Sequence, residues 1–398
     1  MHWLILLICC ILQVLCSMVL LSWGPLAPFL VNSFHATHTQ LGLFMTIVYL
    51  ASLLFSLFAG WLTDRIGVRL LMSICPGAMG LCYVVFSQST TLLQAYIAVF
   101  LIGLSYVFLN PTTTKALRMW FPANMRGTAM SIKQAGVTMG GAAGAIILPS
   151  LSSAIGWRTG VTIVGSVLAI GTIIGLFFYR DPPSTIPAVG TEVLHFSDLW
   201  NVIKNRDLLL LSLVCGVFAA VQLAVSTHLV IYLVEVRSLS PVKAGAYLLL
   251  VNIAGTIGRI AWGVISDRVF NGQRRPALMI IGVIIALIAV TIAISGSTMS
   301  DWLLGIVVFF LGFTAHGWNG IYFAAASEMA DDRLVASGIG WSLTVCYFGT
   351  LGGPPLFGNL VDVTASYSIT WIIFGVISGA SILLLLPVRE RRSVVNGS

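Results

Sequence analysis

The sequence predicts an all-α membrane protein of twelve transmembrane helices, built as two pseudo-symmetric six-helix bundles. Three observations carry that expectation. Of the 398 residues, 58% are apolar and 8% charged; the apolar residues gather into long runs; and a short pattern in the first half returns about two hundred residues later. A soluble domain carries roughly a quarter of its residues as charges, so this chain lacks the polar surface that water demands. The mean hydropathy of +1.00 says the same. The 39 Gly show no triplet period and the seven Cys are too few for a disulfide scaffold, which removes the collagen-like and cysteine-rich classes.

A hydrocarbon core about 30 Å thick needs about 20 helical residues to cross it. Twelve apolar runs meet that demand, near 3–30, 38–62, 70–88, 91–116, 127–149, 159–179, 208–233, 244–266, 276–296, 302–326, 335–358 and 369–387. They lack the alternation of outer-membrane strands, and backbone cannot stay unpaired in lipid, so each reads as a helix. The first run has no basic stretch before it and no small-residue cleavage pattern, so it reads as a span and not as a secretory signal. The cysteines all sit in apolar runs without a C-x-x-C pair and read as small buried hydrophobes.

The formal net charge of +7 has a topological meaning. With an even number of spans, fourteen of the 20 Lys+Arg fall on the side of the termini, and only Arg158, Arg237 and Lys243 fall opposite. Lys115, Lys133 and Arg259 lie inside spans. That asymmetry places both termini in the cytoplasm, in an integral multi-pass protein of the inner membrane, with no call for a nucleic-acid partner.

The chain reads as a duplication. Gly60-Trp61-Leu62-Thr63-Asp64-Arg65 returns as Gly263-Val264-Ile265-Ser266-Asp267-Arg268 at an offset of 203. Asn110 returns as Asn319, Gly140 as Gly349 and Gly144 as Gly353 at an offset of 209, which implies six extra residues between the third and fourth spans of the second copy. Such parallel repeats are related by an axis along the membrane normal. The expected domains are an N-terminal bundle over 1–180, a linker over 181–207 and a C-terminal bundle over 208–398. Within the linker, Ser197-Asp198 can cap a short interfacial helix, with a disordered connection as the alternative.

These residues resemble the major facilitator superfamily over essentially the whole chain. Gly60-x-x-x-Asp64-Arg65-x-Gly67-x-Arg69 is similar to the family's signature loop between spans two and three, and Gly263, Asp267 and Arg268 belong to its returned copy. Trp23-Gly24-Pro25-Leu26-Ala27-Pro28, Asn110-Pro111, Trp120-Phe121-Pro122 and Arg126-Gly127 also resemble the family. Val68 replaces a usual basic residue, and the second copy has two extra residues before Gly272. Span four lacks the buried Arg that marks proton/drug antiporters of the family. The resemblance implies the major facilitator fold and alternating access, with the loop acting as a conformational latch. Chemically, Asp64 can face a helix N-terminus, Arg65 and Arg69 can bond carbonyls or carboxylates, and Gly67 permits a turn with positive φ. An ordinary topogenic loop is the other reading.

A charge at the centre of a span costs at least about 2.5–3.5 kcal/mol, so such residues are functional candidates. None of the 13 Asp+Glu lies deep in a span; the buried formal charges are all positive. Arg259 lies eight residues before Asp267, about 12 Å along the helix. Gly258-Arg259-Ile260-Ala261-Trp262-Gly263 is similar to the eighth span of oxalate/formate exchangers and monocarboxylate transporters, which implies an Arg that binds the substrate carboxylate; snorkelling or a structural pairing is the alternative. Lys133 lies about 10 Å beyond Arg126 in span five. The resemblance implies that span five abuts span eight, so Lys133 and Arg259 could be bridged by one anion; snorkelling of Lys133 is the alternative. Lys115, three residues from Arg118, reads as interfacial. Asn110, Asn319 and Gln134 are further expected contacts, with helix-to-helix bonding the other role for the two asparagines. His316 either titrates and touches substrate or is a satisfied core histidine. Gln13, Tyr49, Gln222 and Tyr347 are polar residues of lower weight.

The function expected is transport of a small organic anion, a carboxylate, as a secondary active carrier, with coupling to a proton, exchange for a counter-anion and uniport all left open. A neutral or zwitterionic substrate, a larger exported metabolite, and more remotely a membrane sensor or enzyme are the alternatives. No G-x-x-x-x-G-K-[ST] run is present to bind ATP and no H-E-x-x-H run to hold zinc, so neither cofactor nor metal is expected and the chain is not an enzyme. A monomer is the expected state.

Overall fold

The computed structural model describes residues 2–121, 126–179, 203–329 and 335–388, with no strand among them. Its helices are α1 (His2–Leu20), α2 (Trp23–Phe34), α3 (His38–Ile66), α4 (Val68–Ser87), α5 (Leu92–Tyr106), α6 (Leu109–Trp120), α7 (Arg126–Ile155), α8 (Trp157–Phe178), α9 (Arg206–Arg237), α10 (Pro241–Arg268), α11 (Arg275–Ser295), α12 (Asp301–Ala315), α13 (Asn319–Met329), α14 (Val335–Thr364) and α15 (Tyr367–Ser381). Among the described residues ten stretches are long and apolar enough to cross a bilayer. They match the expected spans except the sixth and the eleventh, where α8 and α14 lie. The expected linker lies outside the described residues up to 202.

Among the described residues three spans are broken, two of them for a reason written in the sequence. Proline lacks an N–H and its ring collides with the carbonyl four residues earlier. Pro25 therefore opens the first span at Leu21, between α1 and α2, and Pro111 opens the fourth at Val107, between α5 and α6. The tenth span opens between α12 and α13 over His316-Gly317-Trp318 with no proline to cause it.

The residues pack as two units: Met1–Ala188 with Ser226–Leu249, and Val189–Val225 with Leu250–Ser398. In the first, α1 lies on α7, α3 on α5 and α4 on α8; in the second, α11 lies on α15. Packing groups the end of α9 and the start of α10 with the first unit, although the repeat assigns them to the second copy. The contacts are specific. A Cβ added at Gly24 would fall on the Ser226 carbonyl, and one at Gly245 on the Ala145 carbonyl. Ile231 joins Ala27 and Leu41 in one buried cluster, and His38 Nε2 meets Glu235 Oε2 at 3.0 Å.

The glycines carry the duplication into packing. A Cβ at Gly103 would strike the Val48 carbonyl, and one at Gly312 would strike that of Val251. These pairs obey both offsets at once, 209 on spans four and ten and 203 on spans two and eight. Gly67 (φ 96°) and Gly272 (φ 79°) share the positive φ that a tight turn needs, at an offset of 205. Two of the six extra residues therefore fall in the loop before the third span of the second copy, where the sequence already shows two extra residues before Gly272.

Candidate substrate site

Lys133 lies on α7 with only 3% of its surface exposed. Its neighbours on that helix let α1 come close, since a Cβ at Gly136 would meet Gln13 and one at Gly140 the Val14 carbonyl. The ammonium is met by α6, whose start Pro111 sets. Lys133 Nζ donates to Asn110 Oδ1 (3.2 Å), Thr113 Oγ1 (3.3 Å) and Thr114 Oγ1 (3.5 Å). Thr113 spends its own proton on the Leu109 carbonyl, which leaves a lone pair for the ammonium. All three acceptors are neutral, and no carboxylate bonds Lys133 among the described residues. Asn110 is exposed beside this buried cation. Gln134 is exposed as well and is not among the partners of Lys133.

Gln13, fully buried, donates to Ser17 Oγ and Tyr106 OH, and its own Oε1 has no partner. Lys115 Nζ reaches the Thr63 carbonyl at 3.3 Å, at the C-terminal end of α3, where a cation is favoured.

In the second unit Arg259 on α10 meets the break in the tenth span. Its Nε donates to the His316 carbonyl (3.1 Å), and Trp262 Nε1, one turn on, donates to the Phe313 carbonyl (3.1 Å). Gly317 N bonds Thr314 O in place of Phe313 O, so the indole satisfies a carbonyl that the break released. Gly255 and Gly258 permit the approach: a Cβ at the first would meet the His316 side chain, and at the second the Phe313 carbonyl. The His316 ring is buried and hydrogen-bonds the Gln222 main chain. Asn319 Nδ2 donates to Gln222 Oε1 (3.2 Å) and to the His316 carbonyl (3.4 Å), while Trp318 Nε1 donates to Gln222 Oε1 (3.0 Å). Arg259 and Asn319 are thus gathered at one break.

Gly60 and Asp64 have no described side chains; Arg65 and Arg69 are exposed at the junction of α3 and α4. The returned copy is fully described. Asp267 bonds Arg274, and Arg274 also reaches Ser266 Oγ (3.1 Å) and Glu328 Oε1 (3.0 Å). A Cβ at Gly263 would meet nothing within 4 Å, so this glycine makes no close helix contact. Pattern matching passed over Arg274 because the two extra residues push it seven positions beyond Asp267. The run Thr112-Thr113-Thr114 was a legible polar signal inside an apolar span; Trp262 was read only as part of a resemblance.

Known proteins agree with this architecture. The sequence model of the Major Facilitator Superfamily matches residues 6–354. The chain is similar to the probable sulfoacetate transporter SauU of Cupriavidus necator (24% identical, 96% of this chain and 94% of that one) and to the hexuronate transporter of Bacillus subtilis (24%, 88% and 85%). It is equally similar to the membrane sensor protein UhpC of Escherichia coli (24%, 92% and 87%). In structure it matches a bacterial homologue of the human lysosomal transporter Spinster, crystallised inward-facing and occupied, with a TM-score of 0.82 at 16% identity over 98% of both chains. Twelve expected spans, ten of them shown, a signature loop with its copy, and a match over most of its length establish that this chain belongs to the Major Facilitator Superfamily, a family of integral membrane transporters and not of enzymes.

Proposed function

We propose that the chain moves a small organic anion, a carboxylate, across the inner membrane by alternating access, with both termini in the cytoplasm. The observation that carries this reading is Lys133: a cation with 3% exposure whose partners are three neutral oxygens. Withdrawing an ammonium from water costs several kcal/mol, and hydroxyl and amide acceptors return only part of that. A substrate carboxylate supplies the missing counter-charge, which makes the buried cation useful in the one state where it is neutralised. Arg259 is a second candidate cation, sharing the His316 carbonyl with Asn319, while Asn110 bonds Lys133. The SauU and hexuronate relatives support an anionic cargo. With no acidic residue deep in a span, coupling falls to a counter-anion, or to a proton carried by the substrate or by His316.

Proteoliposome uptake of sulfoacetate and D-glucuronate tests the reading. Lys133→Gln and Arg259→Gln are each expected to cut uptake by at least about tenfold, the worth of one lost charged contact. Wild-type uptake in both variants overturns it. The UhpC likeness favours a second reading, a sensor that binds such an anion without moving it; saturable binding with no flux in the wild-type protein would select it.

A further inference from the structure

We infer that Gln222 is a positioning residue for Arg259, acting through the break in the tenth span; this rests on the reading of Arg259 as a substrate contact. The break has no proline to impose it, so something else must hold it open. Gln222, on α9, offers one amide oxygen to two donors: Trp318 Nε1, the last residue of the break, at 3.0 Å, and Asn319 Nδ2, the first of α13, at 3.2 Å. Its main chain bonds the His316 ring at the other end of the same three residues. One residue of α9 therefore grips the break at both ends.

The consequence reaches Arg259 through a shared acceptor. The His316 carbonyl takes both Arg259 Nε (3.1 Å) and Asn319 Nδ2 (3.4 Å). The longer of the two bonds is the amide's, because Gln222 holds that amide at shorter range. Remove the Gln222 acceptor and Asn319 turns to the His316 carbonyl, where it competes with the guanidinium. Trp318 Nε1 is left without its acceptor in a low-dielectric span, a penalty relieved by closing the break. Either event moves the carbonyl that orients Arg259, and a displacement of about 1 Å is enough to lower the affinity of an oriented charged contact.

The test is a double-mutant cycle on the purified full chain, reading the Kd of sulfoacetate and of D-glucuronate. Gln222→Met keeps the length of the side chain and deletes the acceptor. In the wild-type and Lys133→Gln backgrounds it is expected to weaken binding by about tenfold, and in the Arg259→Gln background by less than about twofold. A residue that only stabilises the fold gives the same factor in all three backgrounds, and that result, or an unchanged Kd for folded Gln222→Met, overturns the inference. If Gln222→Met yields no folded protein, Gln222→Asn, which keeps the amide but shortens its reach, is judged by the same three factors. The two readings fail separately. Unchanged binding in both Lys133→Gln and Arg259→Gln rejects the anion site and the inference with it, whereas weakened Arg259→Gln beside unchanged Gln222→Met rejects only the role of Gln222.

Discussion

The two units repeat one packing plan and place different chemistry at its equivalent nodes. The offset of 209 sets Lys133 opposite Ser342, Asn110 opposite Asn319 and Thr113 opposite Tyr322. In the first unit that node is a buried ammonium held by an amide and hydroxyls. In the second it is neutral and closed on itself: Ser342 Oγ lies 2.6 Å from Ser212 Oγ and 2.8 Å from Tyr322 OH, and Cys346 Sγ donates to the Ser212 carbonyl. The second unit carries its cation on another helix, as Arg259, where the offset of 203 gives the first unit Ser56. A duplicated fold thus keeps the glycines that let helices touch and frees the polar positions to diverge. The neutral node satisfies its own hydroxyls, while the charged node carries the cost of a buried ammonium, which is why the proposed function is placed there.

Four variants sharpen or break this contrast. The largest effect is expected for Lys133→Met, which replaces a buried charge by an apolar side chain of similar length. Uptake of the anion should disappear while the melting temperature in detergent holds or rises, since replacing buried charge by hydrophobic volume is neutral or stabilising by about 1–4 kcal/mol. A fall in both would make Lys133 a structural residue. Next comes Gly103→Val or Gly312→Val, each of which drives a side chain into a carbonyl of the neighbouring span. Either should lower stability by about 1–3 kcal/mol, read as a matching loss of melting temperature in both units. A loss in one unit alone would break the packing equivalence.

The smallest effect belongs to the neutral node. Tyr322→Phe removes one buried hydroxyl and should cost about 1 kcal/mol with anion Kd unchanged. If instead it weakens anion binding as much as Lys133→Gln, the contrast between a functional and a structural node is lost.

The latch copies show where pattern reading stops. Gly67 and Gly272 were recoverable from sequence because a positive φ is a local demand that glycine meets. The partner of Asp267 was not, because Arg268 precedes and Arg274 follows a turn whose path two inserted residues alter. Asn110 and Asn319 teach the same lesson. Sequence placed them at equivalent depth and left their roles open between substrate and neighbour. The structure gives the first to a cation and the second to Gln222, a difference that depends on what each neighbouring helix presents.

The sequence by itself determined the membrane class, the positions of ten spans, the family and the prolines that lie at two of the three described helix breaks. Each follows from a local rule: the length of helix needed to cross hydrocarbon, the missing N–H of proline, the cost of charge far from water. Only the tertiary structure decided that the ammonium rests on neutral oxygens, that the guanidinium bonds the His316 carbonyl at a helix break, and that Gln222 accepts from Trp318 and Asn319 there. Those facts depend on the rotation and contact of helices distant in sequence, which side-chain hydropathy along one helix does not encode.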